Sequence, residues 1–261
     1  MEIRKIPLIA LLCVSTFLIS NSQDSDVDKL FKKFQSTNWP DVLAAKESLE
    51  NLQNECIPSL MKLLENKSVK KLTATGDLIY PGAEKFFGHG QIIDYDIDKL
   101  DVRAGWLLEE LTFQNFGFSG VHIESGALID FIRFNFPKYY NNSRNRQLIE
   151  NSSEKEKRDI IRKLSVQEAQ KWWDSEGGGW SRYSAVISAL KCDDEKRQAR
   201  VLFYIRNGRT ACTGLNSSSY KQDIEPLVAE LAKSKLKRIS EQAKLILVDT
   251  NFDWLLIKAG N

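Results

Sequence analysis

The chain has 261 residues, of which 42% are hydrophobic, 10% aromatic and 28% charged, and that balance excludes long disorder and a multi-span membrane protein. Lys plus Arg is 37 and Asp plus Glu is 35, a net charge of +2, so no whole-molecule field draws the protein to nucleic acid and none is expected as a partner. The length accommodates one large domain or two small ones, with ample chain to bury a core.

Arg4 and Lys5 make a basic start, Ile6 to Ile19 an uncharged apolar run, and Ser20-Asn21-Ser22-Gln23-Asp24 a polar end. A basic start, a short apolar stretch and small residues at alternate positions predict a signal peptide over 1–22. The run is shorter than the roughly 20 residues of a spanning helix. The mature chain, 23–261, is therefore expected to be exported, periplasmic or secreted, without a transmembrane segment. Removing Cys13 with the signal leaves Cys56, Cys192 and Cys212. An odd count in an oxidising compartment allows at most one bridge, and Cys192 with Cys212 is the expected pair. Cys56, beside Ile57, reads as a buried small hydrophobe.

Along the mature chain, apolar residues recur at helical spacing. Val27, Leu30, Phe31 and Phe34 mark a first helix, and Val42, Leu43, Leu49 and Leu52 a second that opens at Pro40. Ile57, Leu60, Leu63 and Leu64 mark a third after a very short joint, which predicts an antiparallel pair. From Thr73 to Leu100, glycines and aromatics replace the helical period, and so long an irregular stretch tends to be functional. Helix returns over 101–114 and again over 126–136, while 138–151 reads as a polar connector and 138–152 as the candidate subdomain boundary. Ser153-x-x-Glu156 and Ser165-x-x-Glu168 read as capping boxes opening two helices, about 155–164 and 166–176, the second stopped by Gly177-Gly178-Gly179. Further helices are expected over 180–190, 194–207, 222–235 and 238–250, with a last one from 252. The expected fold class is all-α, stacked helix pairs with an irregular insertion at about 73–100.

Residues 44–49 followed by Ile57-Pro58-Ser59-Leu60-Met61-Lys62-Leu63-Leu64 resemble the first helix, turn and second helix of a HEAT repeat. Val166-Gln167-Glu168-Ala169-Gln170-Lys171-Trp172-Trp173 is similar to the tryptophan-ended helices of bacterial members. The resemblance covers about half the chain, and residues 73–120 depart from it. It implies a curved α-superhelical scaffold that binds something, usually protein, and it carries over no catalytic residue.

Four groups of residues are candidates for a site. Tyr80, His89, Asp94, Asp96 and Asp98 belong to the irregular stretch. Alternating carboxylates present hard oxygen ligands of the kind calcium takes, but the glycine and distal glutamate of a calcium loop are missing. No cofactor is therefore expected, with a divalent cation at Asp94, Asp96 and Asp98 as the alternative and Asp98 or Asp101 as a helix cap in its absence. Glu109 and Glu110 sit in an apolar helix, where a carboxyl beside an aromatic wall can act as an acid; the plainer reading turns one to solvent and pairs the other with Arg103 or an arginine elsewhere. Trp172, Trp173, Trp180 and Arg182 bracket the triple glycine. Adjacent tryptophans on a helix point about 100° apart, so one can stand partly exposed to anchor a protein or stack on a sugar; the plainer reading wedges both between successive helix pairs. Lys233, Lys235, Lys237 and Arg238 form a basic run that reads as a solvated joint.

The sequence lacks G-x-S-x-G, H-E-x-x-H, a P-loop and C-x-x-C. A histidine-based triad has only His89 and His122 to draw on, with Ser119 the nearest hydroxyl to His122. The first expectation is an exported, non-enzymatic binding protein with a protein partner, an inhibitor or immunity-type protein being one form of it. The alternatives are an exported hydrolase of an envelope polymer, working through Glu109 or Glu110, and a glycan-binding protein.

Overall fold

The computed structural model describes residues 26–81, 83 and 90–248. The expected signal peptide, His89 and the helix expected from 252 lie outside the described residues. The fold is all-α. A first helix, α1, covers 26–34. The next, α2 (Trp39–Leu52), carries Pro40 in its first turn and buries Trp39, Val42, Ala45 and Leu49 along one stripe. A 3₁₀ joint, Gln53–Cys56, leads into α3 (Ile57–Leu63), and Cys56 is fully buried there, as expected. The expected antiparallel pairing of α2 with α3 gives way to another arrangement. Helix α3 packs chiefly on α4 (Leu100–Thr112). The reason is that α4 is buried on every side, and a helix of that kind belongs at the centre of a fold.

Between α3 and α4 the described residues of 64–99 are non-helical, and they include two short strands. These are β1 (Leu78–Ile79) and β2 (Gln91–Ile92), paired in parallel with Leu78 opposite Gln91. One α4 side chain ties much of the irregular stretch down. Arg103, fully buried, donates to the carbonyls of Phe34 (2.9 Å), Ser36 (2.8 Å), Lys70 (3.0 Å) and Ile97 (2.6 Å). Burial lowers its pKa to about 10, against the pull of Asp98 and Tyr80. Neither Asp98 nor Asp101 caps α4 from the N-cap position, which Lys99 holds without a side-chain bond. Asp98 Oδ1 instead accepts the Leu72 N–H at 2.8 Å, and its Oδ2 the Tyr80 hydroxyl at 3.3 Å. Asp101, inside the first turn, accepts from the Val102 N–H and pairs with Arg162.

The second half is helical through the stretch expected to be a connector. It contains α5 (Leu128–Asn135), α6 (Pro137–Tyr140) and α7 (Ser143–Asn151). Asn142 caps α7 by accepting from the Arg144 and Asn145 N–H groups, so local capping overrides the polar composition. Helix α8 (Glu154–Glu176) opens with the Ser153–Glu156 capping box. The second box, at Ser165, does not form, and α8 runs straight through it. Ile161, Leu164, Ala169 and Trp172 keep one buried stripe across the position, and Ser165 is fully buried against Gly117, where a Cβ would lie 3.1 Å from its Oγ.

After the glycine turn come α9 (Arg182–Lys191), α10 (Glu195–Asn207), α11 (Ser217–Ser219), a π-helical turn, α12 (Glu225–Leu231) and α13 (Lys237–Val248). Helices α9, α10, α12 and α13 pack on one another. The expected Cys192–Cys212 bridge is absent, and both stand as thiols. Cys192 ends α9 with its Sγ 3.1 Å from the Ala189 carbonyl. Cys212 is buried beside Arg182, and burial, partly opposed by that guanidinium, pushes its pKa up to about 12. No helix among the described residues is long and apolar enough to cross a membrane.

Candidate functional site

Two clefts of about 700 and 510 Å³ share Gln91, Glu110, Arg200 and Phe203 in their walls. They form one continuous concavity. Segment 91–95, α4 and α10 build it, with α2 and the turn after α10 on one side and α13 on the other.

Its floor is an interlocked set of charges. Lys46 of α2, buried, bridges Glu50 at 2.7 Å and Glu110 at 2.6 Å, and its ammonium lies 4.9 Å from the centre of the Trp106 ring. Burial disfavours the charge on Lys46, but Glu110 and Glu50 more than offset that and raise its pKa above the ordinary value. Glu50 is likewise held below the usual carboxylate range, because Lys46 and Arg182 outweigh its burial. Trp106 Nε1 donates to Glu110 at 2.5 Å.

Beside this set, Glu109 is fully buried. Its Oε1 accepts the N–H groups of Phe116 (2.7 Å) and Gly117 (2.8 Å). Its Oε2 takes the Tyr95 hydroxyl and Arg200 Nη2, the latter at 3.1 Å. Burial and the Glu109 charge push the Tyr95 pKa well up. Of the arginines expected to pair with one of these glutamates, Arg103 is committed to carbonyls, and Arg200, from elsewhere in the chain, makes the pair with Glu109. Both Glu109 oxygens are occupied by donors, and that fits a brace for the 113–118 turn.

The irregular stretch divides differently from its sequence pattern. Asp94 is exposed and lines the larger cleft, together with Ser119 and His122. Asp96 turns to Lys99 at 2.6 Å, with His122 Nδ1 3.9 Å away. Asp98 and Tyr80 hold each other behind the cleft. Asp94 thus faces the cleft while Asp96 and Asp98 are engaged separately, and no group of three His, Cys, Asp or Glu suited to a metal occurs among the described residues. Burial lowers the His122 pKa below 6.5, with Arg158 and Lys99 adding to the effect against Asp96, so the imidazole is neutral at neutral pH.

The tryptophan group lies elsewhere. Trp172 is buried 5.6 Å from Phe116, ring to ring, and Trp180 is buried as well. Trp173 is half-buried and covers Gly177, where a Cβ would lie 2.2 Å from its ring. Arg182, almost fully buried, stacks 4.2 Å from the Tyr204 ring centre and donates to Thr210 Oγ1 at 2.8 Å. Of that group only Arg182 reaches the concavity.

The exposed apolar residues of the concavity are Ile92, 72% exposed, and Phe203, 56% exposed. Both are legible in hindsight. In Ile92-Ile93-Asp94-Tyr95, alternation sends Ile93 and Tyr95 inward and leaves Ile92 out. In α10, Gln198, Val201, Leu202 and Ile205 complete one buried stripe, and Phe203 is the apolar residue off it. No protein-family model matches the chain, and no curated protein and no solved structure gives a match to it.

Proposed function

We propose that the protein is a non-enzymatic binding module whose partner is a protein and whose binding surface is this concavity. The observation that carries the reading is the pairing of exposed Ile92 and Phe203 on the walls of the larger cleft. Apolar anchors over a rigid, desolvated base are the arrangement that concentrates binding energy in protein interfaces. The floor supports it too, because Lys46, Glu50 and Glu110 are locked together and need no rearrangement on binding. An exported location and an inhibitor or immunity-type role remain parts of the same proposal, resting on the N-terminal sequence. So does a HEAT-like scaffold, which the mutual packing of α9, α10, α12 and α13 supports.

Immobilised residues 23–261 are expected to capture one protein near equal stoichiometry from an envelope extract. An Ile92→Asp/Phe203→Asp variant should lose it. Capture unchanged by the double substitution would remove the concavity from the proposal. A hydrolase acting on an envelope polymer is the second reading, favoured by Ser119, His122 and Asp94 lining the same cleft. Turnover of such a polymer that vanishes in His122→Ala, with capture of protein absent, would replace the first reading by the second.

A further inference from the structure

In the β1–β2 pair, the Gln91 N–H donates to the Asp77 carbonyl at 2.7 Å and the Ile93 N–H to the Ile79 carbonyl at 2.8 Å. Main-chain groups alternate sides along a strand, so the N–H and C=O of Ile92 face away from β1. No described residue bonds them. A free strand edge is a template for another strand, and proteins usually blunt it with charge, proline or a covering segment. Here the edge residue is an exposed isoleucine, and Gln91, Ile92, Ile93 and Asp94 all line the larger cleft.

The helices lining that cleft add two further features. Lys196 of α10 and Arg238 of α13 both line it. Neither has a carboxylate partner among the described residues, and Lys196 Nζ rests 5.1 Å from the Phe131 ring centre. Gln242 of α13 lines it as well, with its amide oxygen buried and without a hydrogen-bond partner among the described residues. A buried acceptor left so is a cost that an incoming donor relieves.

We infer that the cleft takes an extended polypeptide segment of the partner by strand addition to the free edge of β2. The segment presents an apolar side chain to Ile92 and Phe203 and an acidic one to Lys196 and Arg238. Main-chain bonds to the edge supply affinity, and the alternate side chains supply selectivity. The inference rests on the binding reading above and specifies its mode.

Random dodecapeptides displayed on phage and selected on the full chain provide the probe. The enriched sequences are then synthesised and titrated against variants. Acidic residues are expected beside an apolar one, with affinity falling on charge reversal of Lys196 and Arg238. Ile92→Val should bind within about threefold of wild type, whereas Ile92→Pro, which removes the edge donor without breaking a β1–β2 bond, should bind at least about tenfold more weakly. The Ile92 amide should gain hydrogen-exchange protection in the complex.

Peptides that bind Ile92→Pro as tightly as wild type while the Ile92 amide stays unprotected would overturn strand addition. So would a selected set with apolar residues at helical spacing, or no enrichment at all. The binding reading itself fails separately, when no protein is captured from the extract, and the concavity as its surface fails when capture survives Ile92→Asp/Phe203→Asp.

Discussion

Glu109 and Arg200, 91 positions apart in the chain, meet at 3.1 Å through Oε2 and Nη2. The contact joins the central helix α4 to α10, and it positions Tyr95, whose hydroxyl lies 2.8 Å from the same guanidinium nitrogen. Segment 91–95 is thereby fixed against the helix that carries Phe203. The concavity keeps its shape because a buried ion pair stands behind it.

We predict that Glu109→Ala destabilises the fold by about 3–5 kcal/mol, since it leaves the largely buried Arg200 guanidinium without its carboxylate and three turn amides without their acceptor. At roughly 2–4 °C per kcal/mol for a chain near this size, the loss is readable in a thermal melt. Glu109→Gln should lose less, because an amide oxygen still accepts from the Phe116 and Gly117 N–H groups. A Tm unchanged by Glu109→Ala would contradict the bracing role.

Gly105 tests the packing of α4 with a sign that propensity alone gets wrong. An alanine in a helix interior is worth about 1 kcal/mol over glycine. A Cβ at Gly105, however, would stand 2.2 Å from Phe118 Cγ, and overpacking of that kind costs about 1–3 kcal/mol. Gly105→Ala is therefore expected to lower the urea midpoint. The cost should shrink in a Phe118→Leu background, and strict additivity of the two substitutions would refute the clash.

Helices α2, α4, α9 and α10 were legible in the sequence because each buries one continuous stripe or, for α4, nearly everything. The Ser153–Glu156 cap was legible too, since the residues that make it are three apart. Ser165-x-x-Glu168 has the same letters, but a capping box needs the start of a helix, and Trp172 and Ala169 extend the buried stripe past it. The site was legible only in part. Asp94, Glu110 and Arg182 do reach the concavity, yet the partners that decide their roles, Lys46 and Thr210, come from far along the chain. Arg103 shows the limit most directly: its donors go to four carbonyls, and no sequence pattern distinguishes a carbonyl that needs a donor.

Glu50 gives the fold an acid limit. Its folded-state pKa lies below the usual 4.5, so the unfolded chain takes up the proton first as the pH drops. The stability it contributes is fully present above that value and is lost as the pH falls through the folded pKa. Lys46 acts at the other end. Its pKa is raised above 10.5, and its contribution holds below that pH and is lost as the pH climbs through the folded value. Urea midpoints of wild type and Glu50→Gln should differ at neutral pH and converge in acid. Parallel acid limbs would show that Glu50 is not among the groups responsible.

Trp172 and Phe203 separate core from surface. Trp172 is buried against Phe116, and truncating a buried tryptophan to alanine costs about 3–5 kcal/mol. Phe203 is 56% exposed on a cleft wall, where an exposed substitution usually stays within about 0.5 kcal/mol. Trp172→Ala is therefore predicted to lower the Tm and, in the fraction that remains folded, to leave partner capture intact. Phe203→Asp is predicted to do the reverse, keeping the Tm and losing the partner. If Trp172→Ala lost the partner at an unchanged Tm, the aromatic anchor would lie at the end of α8 beside the triple glycine, and the concavity would owe its exposed Phe203 to something other than binding.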